Sequence, residues 1–135
     1  MSAPVVLVAE DEEDGREIFG TILRHNGFEV ILAEDGAEAV RLATEHRPDL
    51  ILMDLSLPEL DGWEATALLK EDSRTAGIPV IALTVHVQQE DRRRAAEAGC
   101  VDFLGKPVEP RTVLALVKKY VGSERPAEAR SVQQD

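Results

Sequence analysis

Apolar positions along this chain fall into two alternating patterns. Short unbroken runs such as Val5-Val6-Leu7-Val8-Ala9 and Leu50-Ile51-Leu52-Met53 carry no polar side chain. A strand reads that way when helices cover both faces of its sheet. Strands are predicted near 4–9, 28–33, 49–54, 78–83 and 101–104. Between them, apolar residues recur at helical spacing. Ile18, Ile22 and Leu23 mark a first helix, with Gly27 as its stop. Ala37, Val40 and Ala43 mark a second, and Ala65, Leu68 and Leu69 a third over about 62–71. A fourth, about 88–98, is charged on most faces, and Val113, Leu114, Leu116, Val117 and Tyr120 mark a fifth over about 110–121.

Strands alternating with helices imply parallel pairing with right-handed crossovers. The expected fold class is α/β, a doubly wound (βα)5 flavodoxin-like domain whose parallel five-stranded sheet has order 2-1-3-4-5. Residues 1–122 read as that one domain, and 123–135, almost free of apolar side chains, as a disordered tail.

Composition narrows the function. At 135 residues, folding buries roughly two-thirds of the surface, enough for one core. No apolar stretch approaches the ~20 residues of a membrane span, and Met1-Ser2-Ala3-Pro4 lacks the basic start of a secretory signal. A single cysteine cannot form an internal disulfide, which fits a reducing, cytoplasmic setting. A net charge of −11 argues against direct contact with nucleic acid or an anionic membrane.

The chemistry lies at the strand ends. The first run closes on Glu10-Asp11, the third on Asp54 followed by Ser56-Leu57-Pro58, the fourth on Thr84, and the fifth leads to Lys106-Pro107. In an open parallel sheet, sites form outside the carboxyl ends of the strands. Strand order 2-1-3-4-5 makes Glu10, Asp11 and Asp54 neighbours. Two carboxylates 4 Å apart repel by about 4 kcal/mol at an effective dielectric of 20, so such a cluster calls for a hard cation. Oxygen donors favour Mg2+, Mn2+ or Ca2+ over zinc, and Mg2+ is the expected ion with Mn2+ as its substitute. An ionised Asp54 can attack phosphorus to form an aspartyl phosphate, with Lys106 as a point charge and Thr84 as a hydroxyl donor. Each group alone has a plainer explanation: an acidic helix start, a turn carboxylate, a strand-end hydroxyl, a solvated lysine. Their order along one sheet edge favours the shared site.

These residues resemble a response-regulator receiver domain of two-component signalling, over roughly 4–122. The resemblance rests on Glu10-Asp11, on Met53-Asp54-Leu55-Ser56-Leu57-Pro58 followed by Asp61-Gly62, on Ala82-Leu83-Thr84 and on Lys106-Pro107. It implies a stand-alone phosphoacceptor rather than an enzyme, one that catalyses only its own phosphorylation and slow dephosphorylation. Asp54 would receive a phosphoryl group from a histidine kinase or histidine phosphotransfer protein. Asp11 and Asp54 would bind Mg2+ directly, Glu10 through water and Ser56 through its carbonyl, while Thr84 and Lys106 hold the phosphate. The Lys106–Pro107 bond would be cis.

The resemblance also assigns a switch. Thr84 would move toward the phosphate and Phe103 rotate inward, changing the surface of the fourth helix, fifth strand and fifth helix toward a protein target, with a phosphorylation-dependent dimer left open. Phe103 has a competing reading as a permanently buried core ring, since it lacks the hydroxyl that favours an outward pose. Ser56, Val85 and His86 occupy positions that tune rates, and Val85 is bulkier than the Ala or Gly usual there.

Three other readings share parts of this pattern. A haloacid-dehalogenase-like phosphohydrolase would need a second Asp where Ser56 stands. A flavodoxin-like FMN carrier would need a phosphate-cradling loop where Glu10–Asp14 would repel phosphate, and a phosphorylation-independent pseudo-receiver would not keep every group. Cys100 reads as a small core residue, and Arg92-Arg93-Arg94 as part of a solvated helix whose place on the expected output face leaves a partner-docking role open. Trp63 reads as a partly exposed residue near Asp54.

Overall fold

The structure, a computed structural model, describes residues 3–85 and 89–121. Five parallel strands run β1 (Val5–Ala9), β2 (Glu29–Ala33), β3 (Leu50–Asp54), β4 (Val80–Thr84) and β5 (Asp102–Gly105). Their order is β2-β1-β3-β4-β5. Helices α1 (Glu13–His25), α2 (Gly36–His46), α3 (Gly62–Glu71), α4 (Gln89–Ala98) and α5 (Pro110–Val121) cover the two faces. The doubly wound flavodoxin-like fold expected from the sequence is the fold observed.

The unbroken apolar runs are the buried strands. Every residue of β3 and β4 is buried, Asp54 and Thr84 included. The outer strands β2 and β5 are partly open. Side chains alternate across the sheet. One core cluster therefore takes Val6, Val8, Leu50, Leu52, Ile81 and Leu83 against α1 and α5. The other takes Leu7, Ala9, Ile51, Met53 and Val80 with Ala39, Ala43, Ala65 and Leu69 of α2 and α3.

Helix ends follow local chemistry. Asp35 and Asp61 cap α2 and α3 by accepting from the amides of Glu38 and Glu64. Gly27, with φ of 92°, takes the left-handed conformation that ends α1.

Helical spacing misassigned some inward faces. Ile18 is 56% exposed and Leu68 44%, and Ala37 also faces out. The buried residues of α1 are Phe19, Gly20 and Leu23, and those of α2 are Gly36, Ala39 and Ala43. No helix among the described residues is long and apolar enough to cross a membrane. The stretch 123–135 and His86 lie outside the described residues.

Candidate functional site

Parallel register brings the strand ends to one edge. Val8 pairs with Leu52 and Ala9 with Met53, so Glu10-Asp11 and Asp54 emerge side by side, and Asp54 itself pairs with Leu83. One oxygen each from Glu10, Asp11 and Asp54 lies within 4.8 Å of the others. Glu10 and Asp54 are each only 2% exposed, whereas Asp11 faces solvent.

Lys106 reaches this cluster from the far side of the sheet. Thr84 pairs with Gly105, and the Lys106 amide donates to the Thr84 carbonyl at 2.7 Å, which fixes the turn after β5. The Lys106 Nζ then donates to Glu10 Oε1 at 2.7 Å and to Asp54 Oδ2 at 2.5 Å. The other Asp54 oxygen, Oδ1, accepts from the Ser56 amide at 2.9 Å and from Ser56 Oγ at 3.0 Å. Thr84 is 8% exposed at the end of β4. The Lys106–Pro107 bond is cis, the isomer the resemblance implies.

The electrostatics follow from burial. Loss of water pushes the Glu10 carboxyl above its ordinary value, and repulsion from Asp54 adds to that. The Lys106 hydrogen bond opposes both without cancelling them. Burial works against the Lys106 ammonium, yet its bonds to Asp54 and Glu10 outweigh that and hold it above the usual lysine value. The cluster is thus partly compensated by one ammonium, and its all-oxygen donor set suits a hard divalent cation such as Mg2+.

Beside Lys106 opens a cleft of about 440 Å³ with Glu10, Glu12, Ile18 and Val85 on its walls. Val85 is 62% exposed. Phe103 is partly exposed, and the Arg92 guanidinium sits 5.4 Å from its ring centroid. Cys100 is partly buried, and that burial pushes its thiol up to about 11.

Three features of the site escaped the sequence reading. Arg16 Nη1 donates to the Glu10 carbonyl at 2.9 Å, fastening the end of β1. Gly62 packs directly on the Asp54 carbonyl. The third is the pair of arginines on α4 that meet aromatic rings. Only for Gly62 was there a signal, its place in the Asp61-Gly62 pair after Asp54.

Comparison with known proteins gives the same picture. The chain is 40% identical to the polar-differentiation response regulator DivK of Brucella anthropi over 117 residues, covering 87% of this chain and 95% of that protein. The solved chemotaxis protein CheY4 of Vibrio cholerae superposes with a TM-score of 0.84 at 28% identity, covering 88% of this chain and 99% of that one. The receiver domain of the sensor histidine kinase PA1611 of Pseudomonas aeruginosa PAO1, solved with a magnesium ion in its active-site cleft, gives 0.83 at 35% identity over 90% of this chain and all of that one (100%). The family model of the response regulator receiver domain matches residues 6–118, which takes in every strand end described above, and the chain belongs to that family of signalling modules.

Proposed function

We propose that this chain is a phosphoacceptor: Asp54 takes a phosphoryl group from the phosphohistidine of a kinase or phosphotransfer protein and passes the change to a protein target. The observation that carries this reading is the Lys106 ammonium spanning Asp54 and Glu10 inside a cluster of three carboxylates. A carboxylate oxygen of Asp54 forms the new bond to phosphorus. The P–N bond breaks, and the imidazole leaves with its electron pair. With acetyl phosphate as donor, acetate leaves instead.

The chain's groups divide the work by position. Glu10, Asp11, Asp54 and the Ser56 carbonyl would hold Mg2+, or Mn2+ in its place, as the magnesium-bound PA1611 receiver supports. When bound, the cation neutralises charge on the transferred group. The Ser56 amide and hydroxyl fix the orientation of the Asp54 carboxylate. Lys106 holds its ammonium where phosphate oxygens gather, and the Thr84 hydroxyl donates to another oxygen. Such catalysis is positioning and charge compensation rather than proton transfer. Ser56, Val85 and His86 set how fast donors and water enter, the bulk of Val85 one residue after Thr84 being the feature that would slow that entry.

The readout is the surface of α4, β5 and α5, with Thr84 and Phe103 as the moving parts. A net charge of −11 disfavours nucleic acid and anionic membrane and leaves a protein as the target, in a cytoplasmic setting; a phosphorylation-dependent dimer would have to overcome the repulsion between two such copies. Incubation with acetyl phosphate and Mg2+ should add one phosphoryl group by intact mass. Asp54→Asn should remove it. Equal labelling of that variant, or multiple turnover on small phosphate esters, would overturn the reading.

A further inference from the structure

Helix α4 offers the domain little apolar surface among its described side chains. Of its side chains at residues 92–98, only Ala95 is buried. So small a side chain contributes little burial. The helix is flanked instead by two arginines. Arg92 lies 5.4 Å from the Phe103 ring centroid on β5, and Arg94 lies 4.2 Å from the Trp63 centroid on α3. Both distances are within the ~6 Å at which a guanidinium is held by a ring face. Residues two apart on a helix diverge by about 200°, so the two guanidinium groups reach down opposite sides of the buried Ala95. Arg93, between them, is exposed and meets no ring among the described residues.

Phe103 belongs to the small cluster formed by Leu55, Ala82 and Ala95, one residue from Asp54 and in register with Ala82 on β4. It is nonetheless partly exposed. A phenyl ring has no hydroxyl to keep it facing water, and burial of its apolar surface draws it inward. Among the described residues, the group that opposes this is the Arg92 guanidinium.

We propose that Arg92 is a positioning residue that holds Phe103 in its outward pose and so sets the resting position of the switch, while Arg94 fastens the other flank of α4 through Trp63. The proposal rests on the reading of Phe103 as the element that moves when Asp54 is phosphorylated. Loss of one exposed stack of this kind shifts an equilibrium about two- to fivefold. Arg92→Gln therefore raises the inward population of Phe103 by that factor before any phosphorylation.

The three phenylalanines allow a direct test, since Phe19 and Phe28 are buried and Phe103 is not. In protein labelled with 4-fluorophenylalanine, the Phe103 resonance is identified by its loss in Phe103→Leu, and its solvent isotope shift reports exposure. Arg92→Gln should reduce that shift, and Arg92→Lys should largely restore it. Arg93→Gln, which removes the same charge, should leave it unchanged. Arg94→Gln should alter Trp63 emission instead. These readings are made without phosphodonor in the Asp54→Ala background, so they stand whether or not Asp54 is the acceptor. In the otherwise native chain, Arg92→Gln should then label with acetyl phosphate two- to fivefold faster than Arg93→Gln. An unchanged Phe103 shift in Arg92→Gln, an equal change in Arg93→Gln, or a ring that moves with no change in labelling rate would each overturn the proposal. Failure of the parent chain to label at all would instead sink the phosphoacceptor reading.

Discussion

Lys106 keeps two buried carboxylates company that would otherwise face each other in a medium poor in water. Its Nζ is the hydrogen-bond donor of Glu10 Oε1 and a donor to Asp54 Oδ2. Lys106→Ala should therefore destabilise the metal-free protein by about 1–3 kcal/mol, the cost of leaving charged acceptors unpaired. A fully buried pair would cost more, but the Lys106 side chain is 21% exposed, so water partly replaces it. Urea unfolding in EDTA measures this. A loss under about 0.5 kcal/mol would show that solvent already does the work of the ammonium. Glu10 supplies a second test, in pH. Its folded-state pKa lies above the ordinary 4.5, so the native state holds that proton more tightly than the unfolded chain does. The resulting stability is complete below 4.5 and is lost as pH rises through the raised value. Glu10→Gln keeps an acceptor for Lys106 but cannot ionise. Unfolding midpoints in EDTA should fall less steeply across that window in the variant than in the parent. Parallel pH profiles would refute the role of Glu10 burial.

Elements are held in register by close backbone approaches as much as by side chains. A Cβ on Gly36, at the start of α2, would stand 1.6 Å from the Leu60 carbonyl oxygen, and one on Gly62 would stand 2.3 Å from that of Asp54. Both neighbours are backbone, one in the loop that follows the acceptor and one at the end of β3, so neither can swing aside as a side chain would. Gly36→Ala and Gly62→Ala should each cost about 3 kcal/mol or more, while Gly77→Ala, whose Cβ meets nothing within 4 Å, should be neutral or stabilise by up to ~1 kcal/mol. Equal costs at all three positions would mean the loop yields freely. The Gly36 contact was not legible in the sequence, because it depends on where Leu60, twenty-four residues on, comes to lie, whereas Gly62 left a signal in the Asp61-Gly62 pair. The strands were legible, since unbroken runs such as Leu50–Met53 admit no other use in a covered sheet. Ile18 misled because helical spacing shows that a residue is apolar, not that a neighbour covers it, and here it walls a cleft instead. The arginines of α4 read as solvated, or as open to a docking partner, because a stack on a ring of another element leaves no local mark.

For the molecule as a whole, a net charge of −11 and a carboxylate cluster at one sheet edge make stability depend on cations in two separable ways. Non-specific screening relaxes repulsion over the surface and responds to ionic strength, whatever the ion. A site responds by mass action to the ion that fits it. The convergence of Glu10, Asp11 and Asp54 was legible once strand order was fixed, because adjacent parallel strands must deliver their ends together. The span of Lys106 across two of them was not, since the reach of a side chain from the turn after β5 is set by packing. With Mg2+ at ten times its dissociation constant, linkage predicts about 1.4 kcal/mol of added stability, or roughly 5 °C in Tm for a domain of this size. Asp11→Asn removes a donor and one repulsive charge together. It should raise the metal-free Tm slightly and abolish most of the Mg2+ increment. Thermal unfolding in MgCl2 against NaCl of matched ionic strength, for the parent and Asp11→Asn, separates the two contributions. A rise produced equally by NaCl, or retained in full by the variant, would place the effect in the charge of the whole surface rather than at the three carboxylates.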